Sequence, residues 1–262
     1  MMTPAAQERL RVRVPLLLFS ATAWSLLLVL SSGTAMPTHH MTTTPSVTPM
    51  HGATRPVSLN MALAHSSPAS LALGWAVMLA AMMLPLLNAP VRHVRARSFA
   101  QRRARAVILF VIGYATIWMA AGATLLAVSV VIQMIPLESS LLMASVALTA
   151  LVWQCSPVKQ RCLNHGHVHP ELAAFGAAAD IGALRFGFTH AVWCVGSCWA
   201  LMLLPLLVSH GHLAVMAAVA LWLAAERLDR PLTPRWRWCG PGKGVRIAVA
   251  QARMRATQLT QP

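Results

Sequence analysis

Apolar residues run along this chain in long uninterrupted stretches, separated by short segments rich in arginine, proline or histidine. The stretches occupy residues 14–32, 69–89, 107–131, 139–155, 186–208 and 213–228. They are continuous in Leu, Ala, Val and Met, without the two-residue alternation of a membrane barrel strand. A helix needs about 20 apolar residues, each rising about 1.5 Å, to cross roughly 30 Å of hydrocarbon. The pattern predicts an all-α fold: a polytopic membrane helix bundle with six transmembrane helices. The sixth is short, with thirteen residues from Leu213 before Glu226 is reached, which sets Glu226 and Arg227 near the interface.

Residues 33–68 break this pattern. They are rich in Thr, Ser, Pro, Met and His and carry no helical period. The chain therefore divides into an N-terminal anchor helix (1–32), an extracytoplasmic His/Met-rich loop (33–68), a five-helix membrane domain (69–228) and a basic cytoplasmic tail (229–262). Arg9, Arg11 and Arg13, the first apolar run and Ser32-Gly33-Thr34-Ala35 have the layout of a signal peptide. The run exceeds the usual span of about 7–15 residues, which favours an uncleaved anchor.

Composition sharpens the class. Of 262 residues, 57% are hydrophobic and 10% charged, against roughly 25% charged in soluble domains. Such a chain cannot clothe a water-soluble globule. The 21 Lys and Arg face only 6 Asp and Glu, and they fall in alternate loops. Three precede the first helix, six lie between Arg92 and Arg105, three lie between the fourth and fifth helices, and eight follow Ala225. Arg55 alone lies on the other side. This bias predicts both termini in the cytoplasm of a bacterial inner membrane. The tail, with Arg235-Trp236-Arg237-Trp238, suits the anionic face of a lipid bilayer; no nucleic acid is implied.

The residues suited to chemistry are soft donors. His190, Cys194, Cys198 and Met202 follow one another at intervals of four in the fifth helix, on one drifting face. The ladder climbs about 18 Å, too far for one coordination sphere. Cys194 and Cys198 can share one ion, or the ladder can offer successive stations. Thiolate, thioether and imidazole suit monovalent copper, whereas zinc favours a closed tetrahedral set. Taken singly, these residues also suit helix packing. Counted from the cytoplasmic boundary, Met82 lies level with Cys194 and Met78 with Cys198, and Tyr114 and Trp118 fall at similar depth. If the second and fifth helices touch, Met78, Met82, Cys194 and Cys198 can surround an ion.

Two further collections lie outside the apolar stretches. Met36, His39, His40, Met41, Met50, His51, Met61 and His65 can gather copper on the outer side, where His210-Gly211-His212 also lies. On the cytoplasmic side Cys155 and Cys162 precede His165, His167 and His169, without the spacing of a zinc finger. A Cys155–Cys162 disulfide is not expected beside a reducing cytoplasm. No phosphate loop, dinucleotide fingerprint or nucleophile elbow is present, and no enzymatic activity is expected. Glu226, the one acid near the membrane interior, is expected to pair with Arg227 or a loop arginine.

Several fragments together resemble a bacterial family of predicted metal-binding integral membrane proteins, formerly a domain of unknown function and often labelled copper chaperone. They are Ala81-Met82-Met83-Leu84-Pro85, Gly113-Tyr114 with Trp118, Trp153-Gln154-Cys155-Ser156-Pro157-Val158-Lys159 with Cys162, and Gly182-Ala183-Leu184-Arg185. The most specific is His190 followed by Cys194-Val195-Gly196-Ser197-Cys198-Trp199-Ala200-Leu201-Met202, with Gly211 and Glu226 beyond it. The resemblance spans residues 71–228. This chain departs by having Ser197 where the family has a cysteine adjacent to Cys198, and Gly166 where a further cysteine is common; both changes remove thiols.

The resemblance implies metal binding, with copper as the metal. The resulting expectation is a membrane protein that binds copper(I) through Cys194 and Cys198, with His190, Met202, Met82 and Met78 as neighbours. It would pass the ion to a metal-receiving protein or across the membrane. A metal-free membrane assembly or scaffold subunit is the alternative, and a membrane thiol redox protein a third.

Overall fold

The computed structural model describes residues 4–33, 68–136, 138–208, 211–229 and 231–238, with 242, 246–247, 250 and 253. The His/Met-rich loop expected to gather copper, Met36 to His65, lies outside the described residues, as does His210. Regular structure among the described residues is helical: α1 (Pro4–Gly33), α2 (Pro68–Met83), α3 (Asn88–Arg97), α4 (Arg103–Met134), α5 (Ser139–Cys155), α6 (Pro157–Gly166), α7 (Gly176–Leu207) and α8 (His212–Glu226). Short 3₁₀ turns at Leu84–Leu87 and Ala100–Arg102 precede α3 and α4.

Four stretches are helical, long and apolar enough to cross a membrane: Leu10–Ser31, Pro68–Arg97, Ala100–Met134 and Gly176–Leu207. The expected fourth span, residues 139–155, coincides with α5. The chain bends by 63° between Cys155 and Pro157, and a fifth span results only if α5 and α6 are taken together. The cause is local. Pro157 cannot continue the preceding hydrogen-bond ladder, and Ser156 caps the new helix by accepting from the Val158 amide at 3.1 Å. The expected sixth span, α8, has 15 residues, about 22 Å of helix, and is shorter than a full crossing. The expected fifth span starts ten residues earlier than its apolar stretch, at Gly176, because Ala177–Arg185 is helix-forming although less apolar.

Pro85 organises the N-terminal half. Its ring removes the N–H that the Ala81 carbonyl would otherwise accept, so α2 ends in a 3₁₀ turn. The Ala81 carbonyl instead accepts from Ser20 Oγ at 2.7 Å and Trp24 Nε1 at 3.0 Å, both on α1. The break in one helix thus becomes the fastening point of another.

The tightest pair is α4 with α7. A methyl group at Gly187 would lie 2.2 Å from the Phe110 carbonyl oxygen, and one at Gly113 would lie 2.5 Å from that of Leu184. Glycine on both helices lets the backbones meet, as small residues do in membrane helix packing. Helix α2 packs on α1, α4 and α8. Trp75 of α2 lies over Gly122 of α4 and donates its indole N–H to the Trp118 carbonyl at 3.0 Å. Together these contacts enclose one core that holds Met78, Met82, Met83, Cys194, Cys198 and Met202.

Candidate metal centre

The inward face of α7 carries the predicted ladder. His190, Cys194, Cys198 and Met202 are all buried, at 5%, 2%, 1% and 0% exposure, so the four-residue spacing does define one buried stripe. The His190 ring is set among Phe186, Phe110 and Tyr114, with ring centroids 5.7, 6.1 and 6.1 Å away. Cys198 Sγ donates to the Cys194 carbonyl at 3.0 Å, which leans its sulfur back over the turn that holds Cys194.

Cys194 is met by polar groups from α4 and from the end of α8. Tyr114 Oη lies 3.3 Å from its sulfur, and the Arg227 Nη2 donates to it at 3.2 Å. The same Arg227 nitrogen reaches Ser197 Oγ at 3.3 Å, and Ser197 in turn donates to the Cys194 carbonyl at 2.7 Å. Trp118 Nε1, fully buried, lies beside the Cys194 thiol. Cationic and O–H or N–H donors are what a thiolate requires in a medium of low dielectric.

Arg227 is delivered by the end of α8, and a second buried network fixes that end. Glu226 Oε1 accepts from Trp222 Nε1 at 2.8 Å, from Gln154 Nε2 at 2.7 Å and from Lys159 Nζ; Lys159 also bonds Gln154 Oε1. Lys159 and Glu226 have 1% and 5% exposure. This corrects the expected pairing of Glu226 with Arg227 or a loop arginine. Successive residues on a helix point in different directions, so Glu226 faces α5 and α6 while Arg227 faces α7. The role of Lys159 was hidden by its place among the basic loop residues. Arg227 had one available signal: a cation directly after the only acid at the end of an apolar helix.

The methionines reach the same core by another route. Met78 and Met82 are buried at 6% and 2%, carried by α2 through its contacts with α1, α4 and α8. The Cys/His collection from Cys155 to His169 is not gathered at one point. Cys162 packs against α7 at Gly196, His165 stacks on Trp193 at 4.3 Å, and His169 meets His93 at 4.9 Å. The four described cysteines, Cys155, Cys162, Cys194 and Cys198, are free thiols. Among the described residues no three His, Cys, Asp or Glu side chains form a ready-made metal site. What α7 offers is two thiols, with thioethers in the surrounding core, a donor set suited to monovalent copper more than to zinc.

A family model described as copper chaperone, PpoB2, matches residues 72–252. The chain belongs to this family. The match begins in α2 and takes in every helix that contributes to the centre just described. No curated protein and no solved structure matches the chain. The copper chaperone label thus connects the family to copper, and the two thiols of α7 are the softest donors that this member buries together.

Proposed function

We propose that the chain is a bacterial inner-membrane protein that binds copper(I) between Cys194 and Cys198 and hands it to a metal-receiving protein or across the membrane. The observation that carries this reading is the pair of buried thiols one turn apart, with Arg227 and Tyr114 against the first of them. Two thiolates form a low-coordinate site, which monovalent copper accepts and zinc does not favour. Met202, Met82 and Met78 supply thioethers in the same core, and His190 leads the ladder from the α7 N-terminal side.

Membrane insertion is supported by the outer surfaces of the apolar helices. Phe19, Leu73 and Leu221, from three different helices, are 66%, 66% and 72% exposed, which suits contact with lipid chains rather than water. The basic segments at the helix ends favour both termini on the cytoplasmic side. In this reading the chain is a carrier rather than an enzyme, with the His/Met-rich loop collecting the ion outside.

The test is elemental analysis of protein purified in detergent from copper-supplemented cells. Wild type is expected to retain copper, and Cys194→Ser/Cys198→Ser to lose it while eluting as the same species. Unchanged copper content in the double variant would overturn the reading.

A further inference from the structure

We infer that Arg227 is the fixed counter-cation of the two-thiol centre and makes it select a singly charged soft ion over a doubly charged one. This rests on the copper(I) reading above. The guanidinium contacts Cys194 Sγ and Ser197 Oγ at 3.2 and 3.3 Å and carries its charge at any physiological pH. No carboxylate lies within ion-pair distance of it among the described residues; its neighbour Glu226 is matched to Lys159. Cys194 therefore faces a half-buried positive charge whose nearby complement is the metal site itself.

The charge balance decides the selectivity. Two thiolates and one monovalent ion carry a net charge of −1, which Arg227 brings to zero. Two thiolates and one divalent ion are already neutral, and Arg227 then leaves +1 at the half-buried edge of the site. An uncompensated charge partly withdrawn from water is disfavoured. Packing places Arg227 against α7. Its Nη1 would lie 2.6 Å from a methyl group at Gly166, so the guanidinium fills the space between α6 and α7. The Lys159–Glu226–Gln154 network clamps the α8 end from which it projects. Gly166, without a side chain, leaves that space to the arginine.

Ag⁺ and Cd²⁺ are suitable probes, both thiophilic and redox-inert but differing in charge. Binding is measured by competition against a chelator in detergent-solubilised full-length protein. Wild type is expected to take Ag⁺ well ahead of Cd²⁺. Arg227→Gln is expected to weaken Ag⁺ about tenfold, as loss of a hydrogen-bonded charge partner does, while Cd²⁺ holds or tightens. Arg227→Lys, which keeps the charge without the fork, is expected to retain most of the Ag⁺ preference. Equal weakening of both ions in Arg227→Gln, or none, would show a packing role and overturn the inference. Should Arg227→Gln not fold, a wild type that binds Cd²⁺ as tightly as Ag⁺ overturns it equally. Ag⁺ binding that survives in Cys194→Ser/Cys198→Ser would instead defeat the underlying copper site, whatever Arg227 does.

Discussion

Arg227 Nη2 and Cys194 Sγ lie 3.2 Å apart although 33 residues separate them along the chain. One stands at the end of a short helix and the other in the middle of a long one. Tyr114 of α4 closes the arrangement by placing its hydroxyl 3.3 Å from the same sulfur. A thiol that touches both a guanidinium and a phenol is prepared for negative charge before any metal arrives.

Tyr114→Phe should isolate the phenol's contribution. The ring stays packed on Phe110 and Trp118 while the hydroxyl is lost. One hydrogen bond to a charged acceptor contributes about 1 kcal/mol or more, so copper(I) affinity should fall about fivefold with little change in thermal stability. A chelator competition with copper(I) measures it; identical affinity would remove the hydroxyl from the site.

The Lys159–Glu226 pair should behave as a unit. Lys159→Met leaves a buried carboxylate without its cation and is expected to cost about 3–5 kcal/mol. Lys159→Met/Glu226→Gln removes both charges, and the new side-chain amide at that position can still accept from Trp222, so much of the loss should return. Unfolding in mixed micelles, compared across the two singles and the double, gives the coupling. Additive losses would mean the two groups act independently.

Gly187→Val should be the most damaging single change on α7 away from the thiols. Its Cβ would meet the Phe110 carbonyl at 2.2 Å, and backbone cannot yield as a side-chain tip can. Overpacking of this kind costs about 1–3 kcal/mol. Here it also pries α4 from α7 and moves Tyr114 from Cys194. Yield of monodisperse protein should drop, and any purified fraction should bind copper(I) more weakly; a normal variant would show the contact to be compliant.

Ser20 and Pro85 should be coupled across two helices. Ser20→Ala removes one of two donors to the Ala81 carbonyl and is expected to cost about 1 kcal/mol. In a Pro85→Ala background the restored backbone N–H can serve that carbonyl, so the same substitution should cost less. A double-mutant cycle in thermal stability reads the difference. A Ser20→Ala penalty that is the same in both backgrounds would mean that Pro85 is not why α1 docks there.

Acid should loosen the segment after α6. Burial, then the charges of Arg227 and His169, lower the pKa of His167 from its ordinary 6.5; burial, then His93, does the same for His169. A histidine with a depressed folded pKa binds its proton more readily once the segment opens. The stabilising contribution is therefore complete above about pH 6.5 and declines as the pH falls below it. Hydrogen exchange of residues 167–175 should accelerate between neutral pH and about pH 5.5, and His167→Gln/His169→Gln should flatten the response. A pH-independent exchange rate, after correction for intrinsic chemistry, would exclude it.

The helical class, the four long apolar helices and the buried stripe His190–Cys194–Cys198–Met202 were legible in the sequence, since hydropathy and a four-residue interval depend only on local order along the chain. The bend after Cys155 was not anticipated, although its cause, a capping Ser156 followed by Pro157, is local. Nor were the partners of the stripe legible. Whether Glu226 turns to Lys159 or to Arg227, and whether an arginine at a helix end reaches solvent or a thiol, depends on which helices pack face to face and how they are rotated. Gly113 and Gly187 set that rotation for α4 and α7, and Glu226 sets it for α8. Side-chain identity fixed the available donors; the meeting of separate helices decided which charge stands beside which sulfur, because that is a distance through space and not along the chain.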